Sequence, residues 1–427
     1  MGIEFYKEFG EYGYLANYSN HGFTVDNVYY PTVEHFYQAS KFDNPAIIQQ
    51  ILNCKTPKEA SNIGRDRNNV RIPNFREIKL DKMYEGVYYK FSQNKEIRSK
   101  LIETRNQEIK EMSVKESFWG VGPNLDGRNE IGKILMRVRE QAKKDVLDTI
   151  LSNCRDKKVY VIGHAKPDAD SIFSSLLLTH VLKSMGIDAV FAVRDEEFVD
   201  SSMIHDFIKE DYEVVSDFSD KKFVLVDHNL LAGIPKENVI GAFDHHRISG
   251  EVEDIIEMEY ASTGLLIYDL FKDQYDFSEE MRTIVALTVL SDTEFLTSSR
   301  FSLEDKKIYE ELRVDMDPEE YKKKYLKTSN FHFDINDAFF QDYKEYDYDS
   351  LKINRSMIKS YTKERIDHYD QYVHEMKKNS IHLLIWCDYE ELVTYICYNG
   401  ISLQFPYFTT STTLVLDYLK KEKYLSK

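Results

Sequence analysis

The 427-residue chain contains no run of eighteen apolar residues, so no membrane-spanning helix is expected. Its opening stretch, MGIEFYKEFG, lacks the basic-then-apolar order of a secretory signal, and Tyr6 stands where a myristoylation site needs Ser or Thr. Cysteine is sparse: Cys54, Cys154, Cys387 and Cys397 lie far apart with no C-x-x-C pair. That pattern excludes a zinc knuckle and a disulfide framework, and fits a reduced, cytoplasmic protein. Internal repeats and low-complexity tracts are absent. Positive charge is short as well, with 56 Lys and Arg against 73 Asp and Glu, a net −17. The deficit is uneven. Residues 1–142 hold 21 basic and 19 acidic groups, which leaves 35 and 54 for the rest. Such an imbalance points to two modules with different partners. An acidic second part repels polyanions unless it gathers cations locally, which argues against a nucleic-acid binder without chemistry. Most of those charges also serve solubility.

What is present is enough for two or three domains. Residues 1–142 read as a mixed α+β domain rich in aromatics. PTVEHFYQASKF (31–42) has the pattern of a helix, with Pro31 suited to its first turn. A helical stretch over 129–154 carries the chain out of this domain, so that 143–158 is a helical linker ending in RDKK (155–158). From Val159 the pattern alternates. Short apolar runs at 159–162, 189–193, 222–227 and 239–244 read as buried strands, and 171–186 and 283–292 as helices. Alternation of this kind predicts an α/β domain over 159–327, a parallel sheet with helices on both faces. Ligands in such sheets sit beyond the carboxyl ends of the strands. A polar hinge is expected at 328–342, followed by a small α/β domain over 343–427 with strands at IHLLIW and LVTYICY.

The strand ends carry the first chemical constellation. GHAKPDADS (163–171) supplies His164, Asp168 and Asp170; VDHN (226–229) supplies Asp227; DHH (244–246) supplies His245 and His246; SDT (291–293) supplies Asp292. Each piece alone is commonplace, a solvated turn or a helix cap. Four in order, each after an apolar segment, gather carboxylates that cannot all stay ionised without cations. Two divalent ions with a bridging carboxylate satisfy them, and carboxylate–imidazole ligands without thiolate favour Mn2+, then Mg2+, Co2+ or Zn2+. These four motifs resemble the DHH phosphoesterases, and most closely the manganese-dependent family II inorganic pyrophosphatases, over about residues 157–350. The resemblance implies one metal on His164, Asp168 and Asp227 and a second on Asp170, Asp227, His245 and Asp292. It implies that His246 faces the substrate, and that Lys344 in DYKEY (342–346) binds phosphate. One departure stands out. The Ser-Arg-Lys-Lys-Gln motif that clamps phosphate in those enzymes is absent, and ISLQFPYFTTSTTLVLDYLKKEK (401–423) occupies its region.

A second constellation lies in residues 1–142. Glu34, Gln38 and Lys41 are spaced i, i+4 and i+7 and so share one helical face. On an exposed helix this is an ordinary solvated stripe; on a buried one it is a site. GRDRNNVR (64–71) adds Arg65, Arg67 and Arg71, suited to phosphate or to surface pairing, and FWGVG (118–122) sets an aromatic beside glycines, as a base-stacking platform requires. YGYLANYS, YYPTVEHFYQASKF, IGRDR and FWGVGPNLDGRNEIGKILMRVR together resemble the NADAR family over nearly all of 1–142. That likeness implies an N-glycosidase acting on riboflavin-pathway intermediates or on ADP-ribosylated guanine in nucleic acid. Glu34 stabilises a cationic sugar or assists water. Lys41 forms an imine or holds phosphate. Arg65 takes phosphate, Trp119 stacks on the base, and Asn17, Gln38 and Asn129 are candidate orienters.

The expectation is therefore a bifunctional hydrolase, an N-glycosidase joined to a two-metal, manganese-dependent phosphohydrolase. The competing reading is a nucleotide- or metal-sensing regulator with one inactive module. Expected partners are phosphorylated small molecules or nucleotides and, at the N-terminal domain, ADP-ribosylated nucleic acid. No membrane partner is expected, and a homodimer is compatible with the sequence.

Overall fold

A computed structural model describes residues 2–427 apart from 197, 199–200, 247–250, 299–300, 329–342, 349–350, 361–368, 379–381, 389–392, 400, 407–411 and 426–427. The N-terminal domain begins with β1 (Ile3–Phe5), which pairs in parallel with β4 (Ile109–Glu111). Between them lie the hairpin β2 (Phe23–Val25) and β3 (Val28–Tyr30), α1 (Val33–Ala39), α2 (Pro45–Leu52), α3 (Pro57–Arg65), α4 (Phe75–Gln93) and α5 (Lys95–Ile102). Asp26 and Asn27 take positive φ in the hairpin turn, the geometry a two-residue connection demands. Phe23, Phe36, Phe91, Leu101 and Leu135 are buried in its core.

All seven residues of α1 are buried. The helix is shorter than the expected 31–42. Thr32 is extended and caps it, its side chain accepting from the His35 N–H, so Pro31 falls outside. At the other end Ser40 is the C-cap and Lys41 lies past the last turn. The long α6 (Glu130–Cys154) then leaves the domain.

Next come β5 (Lys158–Ile162), α7 (Ala169–Ser184), β6 (Asp188–Val193), α8 (Ser201–Phe207), β7 (Glu213–Val214), β8 (Lys222–Val226), β9 (Val239–Asp244), β10 (Ile255–Glu257), α9 (Thr263–Phe271), α10 (Glu279–Asp292), α11 (Leu303–Glu311) and α12 (Pro318–Thr328). The strands form a six-stranded parallel sheet in the order β10-β9-β8-β5-β6-β7, flanked by helices. From β5 the chain runs to one side through β6 and β7, then returns to the other through β8, β9 and β10. The switch falls between β5 and β8, where such sheets bind ligands. In β5, Val159–Ile162 are all buried, as are Phe223–Val226 in β8, so these strands read as continuous apolar runs rather than alternating ones.

A mixed five-stranded sheet follows: β11 (Tyr343–Tyr348), β12 (Leu351–Ser360), β13 (Leu383–Asp388), β14 (Val393–Tyr398) and β15 (Ile401–Gln404), in that order, with only β12–β13 parallel. Among the described residues this part holds two helices, α13 (Tyr369–Lys378) and α14 (Thr412–Lys421). The expected hinge at 328–342 lies, past Thr328, outside the described residues. Lys344 pairs through its backbone with Arg355, and its side chain is likewise outside them. No helix among the described residues is long and apolar enough to cross a membrane.

Candidate active sites

A fully buried helix that carries acid, amide and amine must satisfy each of them internally. In α1 and at Lys41 just past its end they satisfy one another. Gln38 Nε2 donates to Glu34 Oε1 at 2.7 Å, and Lys41 Nζ donates to Gln38 Oε1 and, at 3.4 Å, to the Gly64 carbonyl. Glu34, Gln38 and Lys41 are 6, 2 and 6% exposed, so the stripe is a buried polar chain and not a solvated face. Gly64 permits it: a Cβ there would stand 1.9 Å from Gln38 Oε1. Burial, helped by the Arg71 and Arg65 guanidiniums and opposed by Glu34, brings the Lys41 amine down to about 8. Its Nζ also lies 5.1 Å from the Tyr37 ring centroid.

Around this chain stand the other candidates. Arg71 donates to the Gly64 carbonyl at 3.2 Å, while Arg65 is exposed and 4.0 Å from Glu116. Trp119 meets Tyr37 edge-to-face with centroids 5.6 Å apart. Asn17 gives its amide to Met83 Sδ at 3.3 Å, and its buried Oδ1 has no hydrogen-bond partner. Asn129 is held by backbone at both ends of its carboxamide: Oδ1 accepts the Glu111 N–H at 3.0 Å and Nδ2 donates to the Ile109 carbonyl at 2.8 Å. His35, also buried, is occupied structurally, with Nδ1 at 2.8 Å from Thr32 Oγ1 and Nε2 at 3.2 Å from the Cys54 carbonyl.

Sequence reading passed over Glu111. This β4 residue has a buried Oε2 without a partner, and burial together with Glu116 raises its carboxyl to about 7. The signal lay in IKEMS, an acid ending a short strand just before the FWGVG turn.

In the sheet domain the loop after β5 is organised by α7. Asp168 caps the helix, accepting the Ser171 N–H at 3.1 Å, and Ser171 Oγ in turn accepts the His164 N–H at 3.1 Å. His164 Nε2 lies 3.7 Å from Asp168 Oδ1. Asp170 is wholly buried and accepts from Ser174 Oγ (2.8 Å) and from the first backbone N–H groups of α9, Thr263 (2.7 Å) and Gly264 (3.0 Å). A helix N-terminus facing a carboxylate offsets part of the cost of burying its charge. Asp227, at the exit of β8, bonds its N–H to the Phe243 carbonyl and then takes φ 59, a left-handed conformation that costs a non-glycine residue on the order of 1 kcal/mol.

His245 Nε2 lies 3.3 Å and His246 Nδ1 3.6 Å from Asp227 Oδ1. Asp244, buried beside them, is 2.9 Å from His246 Nδ1 and accepts the amide of Asn229 at 2.6 Å. Three donor sets bring one atom per residue to within 4.8 Å of one another: His164, Asp168 and Asp227; Asp170, Asp227, His245 and Asp292; and Asp227, His245 and His246. Asp227 is common to all three. Their carboxylates and imidazoles, without a thiolate, are a donor chemistry that fits hard-to-borderline divalent ions. Asp244, Asn229, Ser174 and the start of α9, which surround these residues, were not anticipated; only the Ser262 cap in ASTG (261–264) hints at the last in sequence.

A buried acid–amide–amine chain in one domain and a carboxylate–imidazole cluster at a sheet switch point in the next define a fusion of two hydrolase-type domains. The chain belongs to the NADAR family, whose domain matches residues 4–143, and it carries behind this a DHH-family N-terminal domain over residues 158–291. It is 40% identical over 146 residues to an N-glycosidase of Nostoc punctiforme, covering 34% of this chain and 94% of that one. To a riboflavin biosynthesis protein of Vibrio vulnificus it is 35% identical over 142 residues, spanning 33% of this chain and 39% of that protein. Among solved structures, a candidate family II inorganic pyrophosphatase of Methanococcus jannaschii superposes with a TM-score of 0.49 at 19% identity, over 62% of this chain and 98% of that one.

Proposed function

We propose that the chain is a bifunctional hydrolase in which the N-terminal domain cleaves the N-glycosidic bond of a phosphorylated ribosyl base and the DHH domain hydrolyses phosphoester or phosphoanhydride bonds with two Mn2+ ions. The first half is supported by the buried Glu34–Gln38–Lys41 chain together with the N-glycosidase relative. With an amine near 8, roughly a tenth of Lys41 is neutral at pH 7. Desolvation beside other cations is how a lysine becomes a nucleophile, so Lys41 attacks the anomeric carbon while Glu34 stabilises the cationic sugar. Gln38 fixes both groups, Arg65 and Arg71 receive phosphate, Trp119 stacks on the base, and Asn17 Oδ1 accepts from the substrate. Asn129 acts at a remove, by holding β4.

The second half rests on one observation, the overlap of the donor sets on Asp227. His164, Asp168 and Asp227 would hold one ion, and Asp170, Asp227, His245 and Asp292 the other, with Mg2+ or Co2+ as substitutes. Such a pair supplies a polarised phosphoryl oxygen and hydroxide at neutral pH. Asp244 aims the half-exposed His246 toward the leaving oxygen, and Lys344 binds phosphate.

The test is a screen of the full chain with Mn2+ against ADP-ribosylated guanosine, phosphoribosylamino-pyrimidines, pyrophosphate, polyphosphate and short oligonucleotides. Glu34→Ala and Asp227→Ala are run alongside. N-glycosidic cleavage is expected to vanish in the first variant and phosphate release in the second. Full activity in both variants on every substrate turned over overturns the site assignments. Tight Mn2+ binding without turnover supports a regulatory sensor in place of the second enzyme.

A further inference from the structure

We infer that Glu111 is the proton donor to the departing base in the N-glycosidic step, an inference that rests on the N-glycosidase reading of the first domain. Its carboxyl sits beneath the 118–122 turn, where the missing side chain of Gly120 makes its room: a Cβ there would stand 2.4 Å from Glu111 Oε2. The turn is pinned to the same residue, because the Val121 N–H donates to the Glu111 carbonyl at 2.9 Å and the Glu111 N–H donates to Asn129 Oδ1. Trp119, the stacking residue, is one position from Gly120 and packs on Tyr37, which in turn adjoins Lys41. Glu116 couples to Glu111 electrostatically and reaches Arg65 on the other side. Glu111 thus lies under the platform that the base would occupy, while the Glu34–Lys41 chain lies on the sugar side.

The chemistry needs such a group. A base leaves with the electron pair of the C1′–N bond and is a poor leaving group as an anion. Glu34 already accepts from Gln38, which suits it to stabilise positive charge. A carboxyl titrating at about 7 is half protonated at neutral pH and is matched to donate. In the step, Lys41 Nζ forms a bond to C1′ as the C1′–N bond breaks, and the pair passes to the base nitrogen. That nitrogen takes the proton of Glu111, which becomes a carboxylate. The C1′–O4′ bond then opens, O4′ taking its electron pair and a proton from the Lys41 nitrogen, which leaves an iminium at C1′. Water adds to C1′ and gives one proton to Glu111. The carbinolamine hydroxyl passes its proton to Nζ as the C1′–Nζ bond breaks, freeing the Lys41 amine and a sugar aldehyde that closes again on O4′. The net change is one water consumed, its hydroxyl on the sugar and its hydrogen on the base.

The test uses the full chain and a phosphoribosylamino-pyrimidine, with p-nitrophenyl ribose 5-phosphate as a second substrate whose leaving group departs without a proton. Glu111→Gln is expected to lower kcat/KM on the first by at least about 100-fold and on the second by less than about threefold. Wild-type kcat/KM should peak between about pH 7 and 8 and fall at higher pH, and that falling limb should be absent in the variant. Should Glu111→Gln fail to fold, Glu111→Asp carries the test: its falling limb moves to a different pH. Equal losses on both substrates, or an unchanged alkaline limb, overturn the assignment. If the wild type cleaves neither substrate, the N-glycosidase reading itself has failed, an outcome distinct from a wild type that cleaves both and a Glu111→Gln variant that matches it.

Discussion

Gly64→Ala sets two effects of known sign against each other. An alanine inside α3 is favoured over glycine by about 1 kcal/mol of backbone entropy, so at an open position the change would stabilise the protein. At Gly64 the new methyl would stand 1.9 Å from Gln38 Oε1, 2.8 Å from its Cδ and 3.0 Å from its Cβ. A carboxamide that is 2% exposed cannot escape into solvent. It must rotate, and rotation breaks its bonds to Glu34 and Lys41. Bonds to charged partners are worth about 1.5–3 kcal/mol each, so two of them outweigh the entropy gain. The net expectation is destabilisation by about 2–5 kcal/mol.

Urea melts of the wild type, Gly64→Ala, Gln38→Ala and the double variant separate the causes. Once Gln38 is truncated the clash is gone, and Gly64→Ala should return its favourable kcal/mol, giving a coupling of several kcal/mol across the pair. N-glycosidase activity should fall with Gly64→Ala alone, because Lys41 loses its fixed partner. A Gly64→Ala single variant that is more stable than the wild type would refute the buried chain, and with it the placement of Lys41.

Asp227→Asn should abolish Mn2+-dependent phosphate release and lower the manganese retained per chain, read by elemental analysis; unchanged metal content contradicts its central position. The same variant should melt higher than the wild type without metal, because it removes one carboxylate from a crowded group. Borohydride reduction during turnover should add a sugar mass to Lys41, and in Glu111→Gln, where the alkaline limb is removed, the rate on the p-nitrophenyl substrate should rise with pH through about 8 as the amine loses its proton; no adduct in the wild type leaves Lys41 a phosphate ligand. Lys90, buried on α4 and donating to the Tyr14 and Ala16 carbonyls, has its amine pushed down to about 7 by desolvation. The unfolded chain therefore binds more protons above that pH, and wild-type stability should gain on Lys90→Met by up to about 1.4 kcal/mol per pH unit between about 7 and 10. A pH-independent difference would mean that Lys90 stays charged in the fold.

The strands and helices of the sheet domain were legible because buried parallel strands are short apolar runs and their helices end in recognisable caps. The residues of the candidate metal sites are legible for the same reason: they stand where those runs stop. What could not be read was support from afar. Asp170 is satisfied by α9, more than ninety residues along the chain, through the N–H groups of Thr263 and Gly264, and no local spacing announces that contact. Likewise the i, i+4, i+7 spacing of Glu34, Gln38 and Lys41 is the same on a buried and a solvated helix; burial against α3 and α4 decides between them. Glu111 was missed because a three-residue strand carries no periodicity to mark its inward side.

Both sites stand where local preference is overruled, and in each case the overruling is maintained by a neighbour with no chemical role. A wholly buried helix would ordinarily be apolar, yet Glu34 and Gln38 in α1 and Lys41 just beyond it form a buried polar chain because Gly64 withholds a side chain. An aspartate would ordinarily avoid φ 59, yet Asp227 holds it because its N–H is tied to the Phe243 carbonyl one strand away. A buried carboxyl has no water to satisfy its oxygens, yet in Asp170 they accept the first N–H groups of α9. Strain of this kind persists only when surrounding packing over-determines it. Substitutions at the supporting positions should therefore damage activity through geometry while leaving every candidate reactive group in place, which separates them from changes to the proposed donors and nucleophile themselves.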